Sequence, residues 1–270
     1  MKQKLITDIA YKTGEYKDGI HSHNGYEIIF IARGEISLTV DGETMTASEG
    51  TMIFISNLEK HTIRVTRAPY ERYFMNLSPV KCDKLIGDTD LIALLRCRPV
   101  GFTHTIPFGG EAERMRMLWD ALLAEKGHDD HYTEEAELYY LKLLLIMAKR
   151  RLPEDAFASA GQLKNLLHEL QDYLDSHFTE DIRIGELCEG YYTNHFYLTH
   201  SFKTYTGYSP KQYLTLLRLN HAISLFVAND ETVTAAALAS GFSNINNFIR
   251  CFKSTFGMTP TEYKKRHTDE

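Results

Sequence analysis

Three histidines and a glutamate are the side chains of the N-terminal half whose types and spacing could do chemistry: His21-Ser22-His23, then Glu27, then His61 further on. Histidines at i and i+2 share one face of a strand. With a nearby carboxylate and a third imidazole they supply the donor types of a metal shell. The same four side chains suit the polar lining of a small-ligand pocket, or a set of structural hydrogen bonds, and the residues alone leave the three open. No metal or cofactor is assigned. Catalysis finds no support, because neither a nucleophile–base constellation nor a glycine-rich phosphate loop is present. Cys82, Cys97, Cys188 and Cys251 are widely spaced with no C-x-x-C pair. That spacing argues against a disulfide framework or a structural zinc site and reads as buried reduced thiols.

The elements that must position this cluster are strands. Between residue 20 and about 105, short β-rich runs, Glu27–Ile31, Glu35–Val40 and Met52–Ile55, are separated by turn signals. Asp41-Gly42 sits between two alternating runs and predicts a tight hairpin, while Gly34 and Gly50 punctuate the neighbouring strands. Strands this short suggest a sandwich or small barrel. From Glu111 to Arg151 the period changes. Met115, Leu118, Trp119, Leu122 and Leu123 mark one helix face, Leu138, Leu141, Leu145 and Ala148 another, and Gly127 to Asp130 break the two. The second helix is apolar almost all round, which implies packing either against a second subunit or against its own barrel.

The 270 residues, 43% hydrophobic and 24% charged, suffice for one large or two ordinary domains. No apolar run approaches the roughly 20 residues of a membrane span, and the polar N-terminus lacks a hydrophobic leader, so the expected location is cytoplasmic, without a membrane partner. Ala158-Ser159-Ala160-Gly161 reads as a linker, and an all-helical domain begins near 162.

That domain repeats itself at an offset of fifty residues. Thr193-Asn194 aligns with Ser243-Asn244, Leu198 with Phe248, and Phe202-Lys203 with Phe252-Lys253; Gly207-Tyr208-Ser209-Pro210 and Tyr213 align with Gly257-Met258-Thr259-Pro260 and Tyr263. Two copies of one supersecondary unit are implied. Pro210 opens a long linking helix through about Ala228. In the second copy an Ala-rich helix over Val233–Ser240, a Gly241-Phe242 turn and a helix over Asn244–Thr255 make helix-turn-helix geometry.

The run Gly241-Phe242-Ser243-Asn244, Phe248-Ile249-Arg250-Cys251-Phe252-Lys253, Phe256-Gly257-Met258-Thr259-Pro260 and Tyr263 resembles the C-terminal signature of AraC/XylS-type transcription regulators. The resemblance covers about 165 to 267, and Arg218 with Ala222 fits it. In the first copy Tyr191 stands where a turn glycine is common. The resemblance implies that each unit places its second helix in the major groove, and a linking helix of about 19 residues would span roughly 28 Å, comparable with one turn of B-DNA. The positions expected to face DNA are His195, Phe196, Thr199 and His200 with Lys203, and Ile245, Asn246, Ile249 and Arg250 with Lys253. Arg250 suits guanine, Asn246 adenine, and the apolar side chains thymine methyls.

The formal charge of −6 argues against a general nucleic-acid binder, and from Gly161 onward 10 Lys and Arg face 12 Asp and Glu. Distribution must compensate: Lys203, Lys253, Lys264, Lys265 and Arg266 lie where phosphates would pass, and affinity for random DNA should be modest.

In the N-terminal half, His21, His23, Glu27 and Gly34 fit the H-x-H-x3-E-x6-G spacing of the first cupin motif, and Gly50 with His61 resembles the second. Ser56 and Leu58 stand where cupins usually carry Pro and Gly. The implied chain is α+β. A cupin-like barrel with a helical hairpin (1–157) binds an effector such as a sugar or other metabolite and dimerises, and an all-α domain (162–270) carries two helix-turn-helix units joined by a long helix. The implied partners are double-stranded DNA, a small-molecule effector, a second copy and RNA polymerase. The reading is therefore a ligand-responsive, non-enzymatic DNA-binding regulator. The alternative is a metal-dependent cupin enzyme carrying a DNA-binding tail.

Overall fold

The computed structural model describes residues 4–14, 23, 25–40, 42–96, 102–128, 130–153, 161–190, 195–228 and 231–268. The chain divides into two compact units, Met1–Ser159 and Ala160–Glu270. No helix among the described residues is long and apolar enough to cross a membrane.

In the first unit six strands form one antiparallel sheet: β1 (Ile6–Thr13), β2 (Tyr26–Val40), β3 (Glu43–Ser48), β4 (Thr51–Ile55), β5 (His61–Leu77) and β6 (Thr105–Pro107). Its order is β1-β5-β2-β4-β6, with β3 beside β2. The two long strands, β2 and β5, pair from Tyr26–Leu77 to Val40–His61. Alternation sends their side chains to opposite faces. Ile29, Ile31, Ile36, Leu38 and Val40 join Ala47, Ile53, Ile55, Ile63, Tyr70 and Phe74 in one buried cluster, so the sheet curls around it. The other face, with Tyr26, Ile28, Phe30, Tyr73 and Met75, is buried too.

Helices cover that second face. They are α1 (Pro79–Ile86), α2 (Thr89–Arg96), α3 (Ala112–Glu125) and α4 (Thr133–Lys149). Trp119 of α3 is fully buried, its ring 5.7 Å from that of Tyr73. The helical hairpin expected over 111–151 is present as α3 and α4. The apolar character of α4 is explained within the chain for Leu141, Leu144, Leu145, Met147 and Ala148, which are buried, in a helix that packs on α1, α2 and α3. Tyr139 stays exposed.

Three sequence expectations need correction here. Gly34 does not separate two strands: β2 runs through it with register shifts on either side. Its φ is +93°, and a Cβ there would lie 2.4 Å from the Pro69 carbonyl oxygen, so glycine lets the bent strand pass its neighbour. The strand region is also interrupted by α1 and α2. Ser78 caps α1, Pro79 opens it and Gly87 closes it at φ 68°, a start-and-stop pattern that the β-rich composition obscured. Finally, β1 lies ahead of residue 20. The hairpin over 41–42 is as expected, with Val40 paired to Glu43 and Gly42 at φ 91°; Asp41 lies outside the described residues.

The second unit is all helical: α5 (Gly161–His177), α6 (Ile184–Gly190), α7 (His195–Thr206), α8 (Pro210–Ile223), α9 (Val233–Ala239), α10 (Ile245–Phe256) and α11 (Pro260–Thr268). The fifty-residue repeat has a physical basis. Gly207 and Gly257 follow α7 and α10 with φ of 83° and 74°, where a side chain would be strained. Ser209 then caps α8 in a capping box with Gln212, and Thr259 and Glu262 exchange the same bonds at α11. Leu198, Phe202, Phe248 and Phe252 are all fully buried.

The linking helix reaches Ala228 as expected, but not as α-helix throughout. α8 stops at Ile223, and Ser224–Ala228 form a π-helical turn, beginning where Ser224 Oγ donates to the His221 carbonyl at 2.7 Å. Asn244 caps α10 by accepting from the backbone N–H of Asn246 and Asn247. The 158–161 linker falls mostly outside the described residues, as do Tyr191 and Asn194 of the first copy's turn.

Candidate functional site

In the first unit the sheet brings together three of the four predicted pocket residues. Glu27 starts the inner row of β2, His61 starts β5, and His23 precedes β2; His21 lies outside the described residues. Glu27 Oε2 is 3.1 Å from His23 Nε2 and 3.4 Å from His61 Nε2. Glu27 and His61 are buried, at 8% and 1% exposure. Burial pushes the Glu27 carboxyl up, but hydrogen bonds and charge from His23 and His61 outweigh it and hold the group ionised, below the usual carboxylate range. Burial pulls His61 down, and its bonds to Glu27 and to the Glu59 carbonyl more than compensate, so its pKa is raised. One ligand atom from each of the three residues lies within 4.8 Å of the others. Two imidazoles and a carboxylate are a donor set that a transition-metal ion accepts.

The inner face continues this polar end with residues that the sequence did not single out. In the β2–β5 register Asn76 opposes Glu27 and Arg72 opposes Ile31, so both share the face of Tyr70 and Phe74. The Arg72 guanidinium lies 5.0 Å from the Tyr70 ring. The Tyr70 hydroxyl and the Asn76 side-chain oxygen are buried with no hydrogen-bond partner, and burial pushes the Tyr70 phenol up to about 12. A second acid–histidine pair, Glu59 Oε1 with His104 Nε2 at 3.1 Å, lies next along the chain from His61. Pairing across 45 residues leaves no local signal. The period-two alternation of β5 puts Tyr70, Arg72 and Asn76 on one face, and only the pairing with β2 makes it the face of Glu27.

In the second unit α7 and α10 present matching outer faces. Phe196, Tyr197, His200, Lys203 and Thr204 are exposed, and so are Asn246, Asn247, Arg250, Lys253 and Ser254, each fifty residues on. Phe196 is 79% exposed, a large apolar ring in water, lying parallel to His200. Arg250 donates to the Asn247 Oδ1 at 2.9 Å. Ile249 is partly exposed. Ile245 instead packs against the aromatic core of Phe226, Phe248 and Phe252, and Thr199 turns its hydroxyl inward, where it is buried without a partner. The His195 side chain lies outside the described ones. Tyr197 and Asn247 were missed, although the repeat that pairs them was in view.

Of the other basic residues, Lys264 donates to the Glu231 carbonyl at 2.9 Å, and Lys265 is exposed. Cys82 is buried and Cys251 half-buried, both as free thiols. Cys251 therefore departs from the buried reading: it sits on α10 with Sγ 3.7 Å from Asn247 Oδ1.

Comparison with known proteins agrees with both halves. Residues 187–266 match a family described as a helix-turn-helix domain, and residues 8–68 match one described as a cupin domain. The HTH-type transcriptional activator RhaS of Escherichia coli O139:H28 is 26% identical over 251 residues, covering 91% of this chain and 87% of the relative. RhaS of Escherichia coli O127:H6 is 25% identical over 246 residues, with the same coverage. Among solved structures, ToxT from Vibrio cholerae aligns with a TM-score of 0.61 at 15% identity over 98% of this chain and 100% of that one. ToxT of strain SCE256 with a bound unsaturated fatty acid gives 0.60 at 15% identity over 99% of each. With a cupin domain followed by a helix-turn-helix domain, and with transcriptional activators similar to it along nearly its whole length, the chain resembles transcription regulators of the AraC/XylS type.

Proposed function

We propose that this regulator reads double-stranded DNA with the outer faces of α7 and α10, and that a small effector bound at the Glu27 end of the curled sheet sets its activity. The observation that carries the DNA reading is the exposure pattern repeated at an offset of fifty residues: Phe196 and Asn246, His200 and Arg250, Lys203 and Lys253 project from equivalent places of two recognition helices. Such helices contribute base contacts from their outer residues and phosphate contacts from their ends. Ile249 takes part from the edge of that face, whereas Ile245 and Thr199 act by seating the helices. His195 belongs to the reading face by its place at the start of α7.

The effector site is supported by buried polar groups with apolar surroundings. Glu27, His23 and His61, together with the unpartnered Tyr70 hydroxyl and Asn76 oxygen, are the few oriented polar groups that a small-molecule site needs. Position His21 joins them through the H-x-H pattern. ToxT was solved with an unsaturated fatty acid, a precedent for a small effector in this fold. The chain acts by binding, not catalysis, in the compartment that holds its DNA. A second copy, meeting the part-exposed apolar positions of α4, and RNA polymerase complete the assembly.

Selection of duplexes from a randomised library by the purified protein tests the reading: a recovered two-part consensus supports it, and no enrichment removes it. The metal-dependent enzyme is the second reading, favoured by the compact His23–Glu27–His61 set. Elemental analysis separates the two, because a stoichiometric transition metal would move the first unit toward metal chemistry.

A further inference from the structure

The two reading units are joined a second time, through space, across α8. Arg218, in the middle of that helix, donates from Nε to the Phe178 carbonyl and from Nη2 to the Glu180 carbonyl, both at 2.6 Å. Those carbonyls belong to the loop that leads into α6, the first helix of the first helix-turn-helix. On the same loop sits the turn of the second helix-turn-helix. A Cβ on Gly241 would lie 2.7 Å from the Thr179 carbonyl oxygen, 2.9 Å from its Cα and 3.0 Å from Arg218 Nε. Nearly one helical turn beyond Arg218, the His221 ring stands edge-on to Phe178 at 5.1 Å. The Ser240 hydroxyl donates to the Ala236 carbonyl at 2.7 Å, so the 3.0 Å contact of His221 Nδ1 with Ser240 Oγ has the imidazole N–H as donor.

We propose that Arg218, packed between the 178–180 loop and the Gly241 turn, is a positioning residue that fixes the distance and phase between the two recognition helices, and so makes the protein discriminate DNA sites by the spacing of their halves. The inference rests on the DNA reading above and adds a specificity to it. The need for such a joint follows from the connecting chain. The last turn of the connecting helix is π-helical, Ser224–Ala228, so the winding changes before α9 and the α-helical rod alone does not set the phase of the second recognition helix. Short, charge-assisted bonds from a planar guanidinium hold the loop in two places, and a bare backbone at Gly241 lets the turn sit against it. One inserted base pair moves the second half-site by about 3.4 Å and turns it by about 35°. A pair of helices locked at the joint cannot follow that change, whereas a loosened pair can.

The test uses full-length protein and a two-part duplex recovered by the wild type from a random library. Fluorescence anisotropy gives affinities for that duplex, for versions with one or two base pairs added or removed between the halves, and for a single half-site. The wild type should lose about tenfold or more per base pair of altered spacing. Arg218→Ala and Gly241→Ala should lose only about threefold while their half-site affinity stays within about twofold of wild type. A wild-type spacing penalty in Arg218→Ala overturns the joint. If that variant does not fold, Arg218→Lys, which keeps the charge without the planar fork, decides in its place by the same profile. Failure of the wild type to recover any two-part duplex would remove the DNA reading itself, and the joint with it.

Discussion

Replacing Arg250 by alanine should change which DNA the protein prefers, not merely how tightly it binds. The guanidinium projects from the exposed face of α10 and is steadied by Asn247 Oδ1 at 2.9 Å, so it can offer a forked pair of donors to a base edge. A bidentate contact of that kind is worth about 1–3 kcal/mol of base discrimination, a factor of roughly 5 to 150 in Kd. The folded state should hardly notice, because substitutions at exposed positions usually fall within about 0.5 kcal/mol. Lys253, exposed at the last turn of the same helix, offers a point charge. Lys253→Ala should weaken all sequences alike and lower the slope of log K against log salt by about 0.9. Anisotropy titrations over a salt series, on a selected duplex and on its scrambled counterpart, separate the two. Arg250→Ala should lose affinity on the first duplex alone, and its loss at one base pair should vanish when that pair is changed. Equal losses on both duplexes for both variants would refute the assignment of Arg250 as a base reader.

Leu217→Pro should abolish two-part binding, because Leu217 is buried in the middle of α8 and the ring costs about 3 kcal/mol or more of helix; unchanged affinity in a folded variant would refute a fixed two-reader arrangement. Glu27→Ala should leave half-site binding intact and shift the transcriptional dose response to higher effector, by roughly the 1–3 kcal/mol of a charged buried hydrogen bond, and an unaltered curve would place the site elsewhere. Burial lowers the His221 pKa, with Glu231 acting the other way. The unfolded chain therefore takes up the proton first as pH falls through about 6.5, so stability of the second unit is level above that pH and declines below it. Denaturation midpoints compared at about pH 7.5 and 5.5 should show this decline in the wild type and less of it in His221→Gln.

What could be read from the residues was what the backbone demands of them locally. Gly207 and Gly257 must hold positive φ, and Ser209-Pro210 and Thr259-Pro260 must start helices; such needs are written in residue type, and the repeat carried them plainly. His23 and Glu27 were legible for the same reason, being close in sequence on one strand edge. Features set by tertiary pairing were not. Gly34 looked like a stop because its close approach to Pro69 involves a strand more than thirty residues away. The eight-residue helices α1 and α2 were hidden under apolar runs that also fit strands. Asn76 and Arg72 gained meaning only when the β2–β5 register put them on the face of Glu27.

The fifth strand has no wet side along its second half. Phe74 points into the curled sheet's core, and Tyr73, one residue earlier, points out to Trp119, with its hydroxyl donating to Asp120 of α3 at 2.6 Å. Close-packed interiors transmit displacement instead of absorbing it. A molecule that nudged Arg72 or Phe74 would thus act on β5 as on a lever, and the far end of the lever is a helix surface. The protein's one tryptophan sits at that far end, so its emission spectrum is a built-in gauge of events at a site it does not touch.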